Sequence, residues 1–193
     1  MGGLSGSDGH RALIARLPEK AGPFLAHGRR VAAFASAFMR SMDISEECRG
    51  IVVEAAVVHD IGKLYVPSAI LEKTGQLNEQ ETAEIRRHPE FGYRIILGLD
   101  ADARIAEAVF RHHERLDGSG YPSGLRGDHI RPAVRIITVA DVVESMVSRQ
   151  AYRPALSTQA ALREIERGSG IVYDPVVVTA AAEVLAAGFS FGA

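Results

Sequence analysis

The sequence predicts an all-α chain forming a single-domain helical bundle, and three observations carry the prediction. Apolar residues recur at three- and four-residue spacing almost throughout. No stretch sustains the two-residue alternation of a half-buried strand. Residues that start and stop helices (Asn78, His88-Pro89, Pro132, Ser157, Asp174-Pro175) fall between the periodic segments. With 193 residues, 47% of them hydrophobic, the chain can bury a real core. Trp is absent and aromatics make up only 6%, so Ala, Val, Ile and Leu must do most of the packing, which suits closely packed helices.

The elements follow in chain order. Residues 1–22 read as a leader or first short helix, flexible or tag-derived, and "MGGLSGSDGH" has no apolar core and is no secretory signal; His10 is left out of the site. Phe24, Val31, Phe34 and Phe38 share one helix face. Ile51, Val52, Ala55, Ala56 and Val58 continue the pattern in a second helix, which should stop at Gly62 in a left-handed C-terminal position. Asn78 with Glu81 resembles a capping box opening a third helix. His88-Pro89 breaks that helix and starts a fourth, since Pro is tolerated at the first helical position. Residues 101–113 read as a fifth helix, and 114–131 as a loop with too many Gly and Pro breakers to be helical. Pro132 opens another helix through about Val147. Ser157 or Thr158 caps one across 159–167, and Asp174-Pro175 opens a last one near 175–187.

Composition excludes several classes of function. The formal net charge is −2 with no basic stripe, so duplex nucleic acid is not the expected partner. The lone Cys48 excludes an internal disulfide and any multi-thiolate zinc site. No apolar run approaches the roughly 20 residues of a membrane span.

Polar residues on the apolar faces carry the functional signal. His27 falls three after Phe24 and four before Val31; His59 is three after Ala56; His112 is three, and His113 four, after Val109; Asp141 is four after Ile137. Asp60 follows His59 at its helix end, and His88 opens the next helix but one. An unpaired buried carboxylate costs several kcal/mol, and basic residues on these faces are too few to pair with them. A divalent metal satisfies neutral imidazoles and ionised carboxylates together. Seven donors exceed the needs of one ion and suit two ions sharing a carboxylate, the arrangement that clamps an in-line displacement at phosphorus. Nitrogen and oxygen donors without thiolate favour iron or manganese, with zinc, nickel and magnesium compatible.

"HDIGK" at 59–63, "HPEFG" at 88–92, "HHERLDGSGYP" at 112–122 and "VAD" at 139–141 resemble the HD-GYP phosphodiesterases, a branch of the HD metal-dependent phosphohydrolases. The likeness runs from about His27 to Asp174-Pro175. It implies a bundle of the HD-domain type with a Gly-rich GYP loop, a catalytic domain over 23–188 and a tail over 189–193. It further implies hydrolysis of cyclic di-GMP to pGpG or GMP by attack of a metal-bridging hydroxide, in the bacterial cytoplasm. Carried over, the resemblance gives one metal to His27, His59, Asp60 and Asp141, with Asp60 bridging to a second held by His88, His112 and His113. Lys63 would face the substrate phosphate, Tyr121 a guanine base or phosphate, and Arg153 a phosphate. Sensor, receiver or diguanylate cyclase-type domains are the signalling partners that go with the family, and a homodimer is compatible with it.

Three departures bear on this. Pro23 stands where some members have a glutamate that supports a third metal, which favours two. "ESMV" from Glu144 replaces the usual Asp-Ala-Leu-Thr. "QAYR" replaces Arg-Pro-Tyr-Arg, so Gln150 stands for a substrate-binding arginine, with Arg149 one residue away. Two further readings stay open: a catalytically weak module that binds a cyclic dinucleotide or docks a signalling domain, to which the change at Gln150 points, and a phosphohydrolase for another cyclic dinucleotide or a nucleotide monoester, which resemblance to the wider HD superfamily allows.

Overall fold

A computed structural model describes residues 14–148 and 154–191. Pro23 sits in the first turn of α1 (Gly22–Met39), where a missing N–H costs nothing. Ser45 caps α2 (Glu46–Val58) by accepting from the Cys48 N–H, and α3 is one short turn (Ser68–Leu71). Asn78 and Glu81 form the expected capping box at the start of α4 (Glu79–Ile85), and α5 (His88–Gly98) begins at His88-Pro89. Asp102 caps α6 (Ala103–Arg111), while Pro132 begins α7 (Pro132–Val147). Ser157 caps α8 (Thr158–Arg167), and Asp174 accepts from two N–H groups at the start of α9 (Pro175–Ala186). Each such cap is worth about 1 kcal/mol. Among the described residues there is no sheet, only two isolated bridges, Asp117 with Arg126 and Ser169 with Tyr173.

The centre of the fold is α7, which is buried on nearly every side, from Ala133 to Glu144. A helix apolar all round belongs inside, and α1, α2, α8 and α9 pack around this one. Small residues let the axes approach. A Cβ at Gly28 in α1 would stand 2.1 Å from the Val57 carbonyl oxygen in α2. Phe34 anchors the far side of α1, with Phe38, Phe189 and Phe191 ring centroids 5.1–5.2 Å away. No helix among the described residues is long and apolar enough to cross a membrane.

Two expectations need correction. α2 ends at Val58 and the chain continues into a 3-10 turn, Ile61–Tyr65, so Gly62 is no left-handed helix stop. It is glycine because a Cβ there would lie 1.9 Å from the His88 carbonyl oxygen: this turn presses onto the start of α5. The fifth expected helix is shorter than 101–113. It ends at Arg111, with His112 as its C-cap and His113 beyond it. The reason is the bond that His112 makes back into its own helix, described below.

Candidate metal centre

Three histidines reach the centre by one local device. The last carbonyls of an α-helix have no backbone partner, and here imidazoles take some of them. His59, the C-cap of α2, donates from Nδ1 to the Ala56 carbonyl at 2.7 Å. His88 donates likewise to Ile85 in the last turn of α4, and His112 to Val109 in α6, each at 2.7 Å. Each bond fixes the tautomer, leaving Nε2 with a lone pair and no proton. Three helix C-termini, the negative ends of their dipoles, therefore finish at one place, which favours a cation there.

The Nε2 atoms converge with the carboxylates. His88 Nε2 lies 3.2 Å from His112 Nε2 and 3.3 Å from Asp60 Oδ1. His59 Nε2 lies 3.7 Å from Asp60 Oδ2 and 3.5 Å from Asp141 Oδ1. On α1, His27 Nε2 is 3.1 Å from Asp141 Oδ1 and 3.7 Å from Asp60 Oδ2. Asp60, His88, His112 and His113 offer donor atoms within 4.8 Å of one another; so do His27, His59 and Asp60, and Asp60 belongs to both sets. His59, Asp60, His88, His112 and Asp141 are buried, His27 and His113 partly so.

Two observations test whether a cation fits. His59 Nε2 is buried and has no hydrogen-bond partner. His88 and His112 turn two unprotonated nitrogens toward each other at 3.2 Å. Buried polar atoms are otherwise almost always satisfied, and two facing lone pairs are satisfied by a positive centre. Titration agrees. Burial, the largest cause, lowers His88 to about 4 and His113 to about 3, and it pushes His112 well below the ordinary range, so all three are neutral. Burial works against the charges of Asp60 and Asp141. Lys63 and the neighbouring imidazoles outweigh it at Asp60, and the hydrogen bond from His27 together with the nearby imidazoles does so at Asp141, holding both well below the usual carboxylate range. The donor set suits divalent metal binding.

His27 behaves differently. Burial pulls its pKa down, but bonds to Asp141 and Glu144 and the charge of Asp60 lift it to about 10. A cation at Nε2 would take the place of the proton that joins it to Asp141. Its other nitrogen, Nδ1, is 2.6 Å from Glu144 Oε2. Glu144 is fully buried, and its second oxygen accepts from Arg30 Nε and from Ser148 Oγ. The sequence showed Glu144 only as a departure from a family pattern. The available signal was its position three residues after Asp141 on a buried helix face.

Lys63 is placed by the 3-10 turn. With three residues per turn, positions i and i+3 eclipse, and Lys63 Nζ donates to Asp60 Oδ2 at 2.6 Å. The GYP loop is pinned from beneath by Glu114, which is buried and accepts from the Ser123 and Leu125 N–H groups at 2.7 and 2.9 Å. Gly118 and Gly124 adopt positive φ; Gly120 does not, and its hydrogen matters because a Cβ would lie 2.4 Å from the His113 carbonyl oxygen. The Tyr121 ring stacks on His113, with centroids 4.6 Å apart and planes at 28°, so that face is closed to a base. Arg149, Gln150 and Arg153 lie outside the described residues.

The family model of the HD domain matches residues 11–177. The chain belongs to the HD-domain family. This HD domain is 38% identical over 156 residues to a cyclic di-GMP phosphodiesterase response regulator of Xanthomonas campestris, across 78% of this chain and 40% of that protein. It is also 38% identical over 149 residues to a 3'3'-cGAMP-specific phosphodiesterase of Vibrio cholerae, across 77% of this chain and 32% of that one. A cyclic di-GMP phosphodiesterase of Thermotoga maritima is 38% identical over 156 residues, with 80% and 42% covered. The HD domain thus spans less than half the length of these curated relatives. Among solved structures, an HD-GYP-type protein of Bdellovibrio bacteriovorus superposes with a TM-score of 0.69 at 17% identity, over 83% of this chain and 51% of that one. The HD domain of a Listeria monocytogenes phosphodiesterase superposes at 0.60 with 16% identity, over 93% and 97%. At such identities these two show the shared helical fold.

Proposed function

We propose that this HD domain is a metal-dependent phosphodiesterase that hydrolyses cyclic di-GMP to pGpG, GMP or both. One observation supports the reading above the rest: two overlapping donor sets share Asp60, and among their atoms the buried His59 Nε2 has no hydrogen-bond partner while His88 and His112 turn their Nε2 atoms toward each other at 3.2 Å. His27, His59, Asp60 and Asp141 would hold one ion, and Asp60, His88, His112 and His113 the other. Iron or manganese suits a set of imidazoles and carboxylates without thiolate. When bound, two such ions would supply Lewis acidity for a phosphodiester and lower the pKa of water. The chain's own groups do the rest. Asp60 is held ionised, with Lys63 at its edge. The Lys63 ammonium, about a quarter exposed, reaches an entering phosphate and stabilises the charge that develops on it. Glu114 holds the GYP loop over His113, and Tyr121 closes that side of the centre against water.

A second reading changes only the substrate. The relatives named for cyclic di-GMP and for 3'3'-cGAMP match equally well, at 38% identity. Protein loaded anaerobically with iron or manganese and offered both dinucleotides side by side should cleave at least one, and the ratio of kcat/KM assigns the substrate. Asp60→Ala should lose activity and the shared ligand of both ions. Absence of turnover with either dinucleotide under every metal would overturn the enzymatic reading.

A further inference from the structure

Arg86 stands against the candidate site in an unusual electrical position. It lies two residues before His88, at the C-cap of α4, with its side chain exposed. Its guanidinium carbon sits 5.1 Å from the centroid of the Tyr121 ring. That ring in turn stacks on His113 at 4.6 Å, so the guanidinium is no farther from His113 than those two separations together. Among the described residues Arg86 has no ion-pair partner, whereas its neighbour Arg87 pairs with Glu84 at 3.0 Å. A cation parked on an aromatic face keeps its hydrogen-bonding edge available for an anion. Lys63, a further cation near the centre, is already engaged by Asp60.

We propose that Arg86 is a substrate-binding residue that takes the second, uncleaved phosphate of a cyclic dinucleotide. The proposal rests on the reading of the site given above and names a contact it lacks. One phosphate enters between the donor cluster and Lys63; the other, across the macrocycle, meets the planar fork of Arg86, which matches two phosphate oxygens at once. Every cyclic dinucleotide carries two phosphates, so the assignment is independent of which bases are present.

The test compares a substrate having two phosphates with one having a single phosphate. Arg86→Ala and Arg86→Lys, metal-loaded, are assayed on cyclic di-GMP and on bis(p-nitrophenyl) phosphate, and cyclic di-GMP affinity is measured separately by calorimetry. Arg86→Ala should raise KM and Kd for the dinucleotide about ten- to a hundredfold, leave kcat within about twofold, and leave bis(p-nitrophenyl) phosphate hydrolysis unchanged; Arg86→Lys should recover part of the loss. An unchanged KM, or an equal loss on both substrates, overturns the proposal, the latter by showing that Arg86 merely supports Tyr121 and His113. Binding without turnover by the parent protein sinks the enzymatic reading alone, and the affinity comparison still decides on Arg86. If the parent protein binds no cyclic dinucleotide, both fall.

Discussion

His27 shows how a single side chain is aimed by its unseen nitrogen. Its Nε2 faces Asp141 and Asp60, but its ring plane is set by Nδ1 on Glu144. Glu144 is itself fixed, with Arg30 and Ser148 on its other oxygen, and it is fully buried. The remaining core histidines are aimed by backbone carbonyls instead, which no side-chain substitution removes. Glu144 is therefore an orienting group in this cluster of imidazoles that mutation can test directly. Glu144→Gln keeps the size and one acceptor but removes the charge that binds the His27 Nδ1–H. Loss of such an orienting carboxylate typically costs about 10–100-fold in metal affinity. Competition with a fluorescent chelator should show a loss of that size at one of two ions, with the far-ultraviolet circular dichroism of the fold unchanged. Equal affinity at both ions would mean that Asp141 alone positions His27. From the sequence, the inward placement of His27, His59, His112 and Asp141 was legible, because it follows from helical spacing. The role of Glu144 was not, because an acid on a buried face reads equally as a ligand, a cap or an orienting group until its partner is seen.

The 3-10 turn Ile61–Tyr65 joins the parts of the site that the long helices supply. It brings Lys63 over Asp60 by its three-residue period and lies directly on the first turn of α5. A Cβ at Gly62 would meet the His88 carbonyl oxygen at 1.9 Å and the Gly92 nitrogen at 2.5 Å, backbone atoms that cannot swing aside. Gly62→Ala must then separate the turn from α5, pulling Asp60 and Lys63 away from His88. Overpacking of this kind costs about 1–3 kcal/mol. Urea titration should show that loss, and stoichiometric metal uptake should fall below two ions per chain. A variant with full uptake and unaltered midpoint would show that the turn tolerates movement. Caps and proline starts made α4, α5, α8 and α9 readable in advance, since Asn78, Pro89, Ser157 and Pro175 each carry a local rule. Gly62 misled because glycine serves two ends, a left-handed backbone and a close approach, and only the packed partner tells them apart.

At the scale of the whole molecule, the donors come from segments far apart in the chain: His27 on α1, His59 and Asp60 after α2, His88 on α5, His112 and His113 after α6, and Asp141 on α7. The apolar core around α7 holds these helices together, yet it also encloses two ionised carboxylates and three imidazoles kept neutral by burial. Without cations that interior is a cost, because buried acids repel and His59 Nε2 is left unsatisfied. The unfolded chain cannot gather donors spread from position 27 to position 141, so ion binding acts almost wholly on the native state. Free metal at a hundred times its dissociation constant then adds about 2.7 kcal/mol for each ion, and two ions raise Tm of a domain of this size by about 10–20 °C. Thermal melts with iron or manganese in excess, against the same protein after chelation, should separate by that interval, and the gap should widen with metal concentration. Asp60→Ala, which removes the ligand common to both sets, should lose most of the gap while its chelated form still melts cooperatively. Coincident melts of the parent protein with and without metal would mean that the core, not the ions, bears the cost of the buried charges.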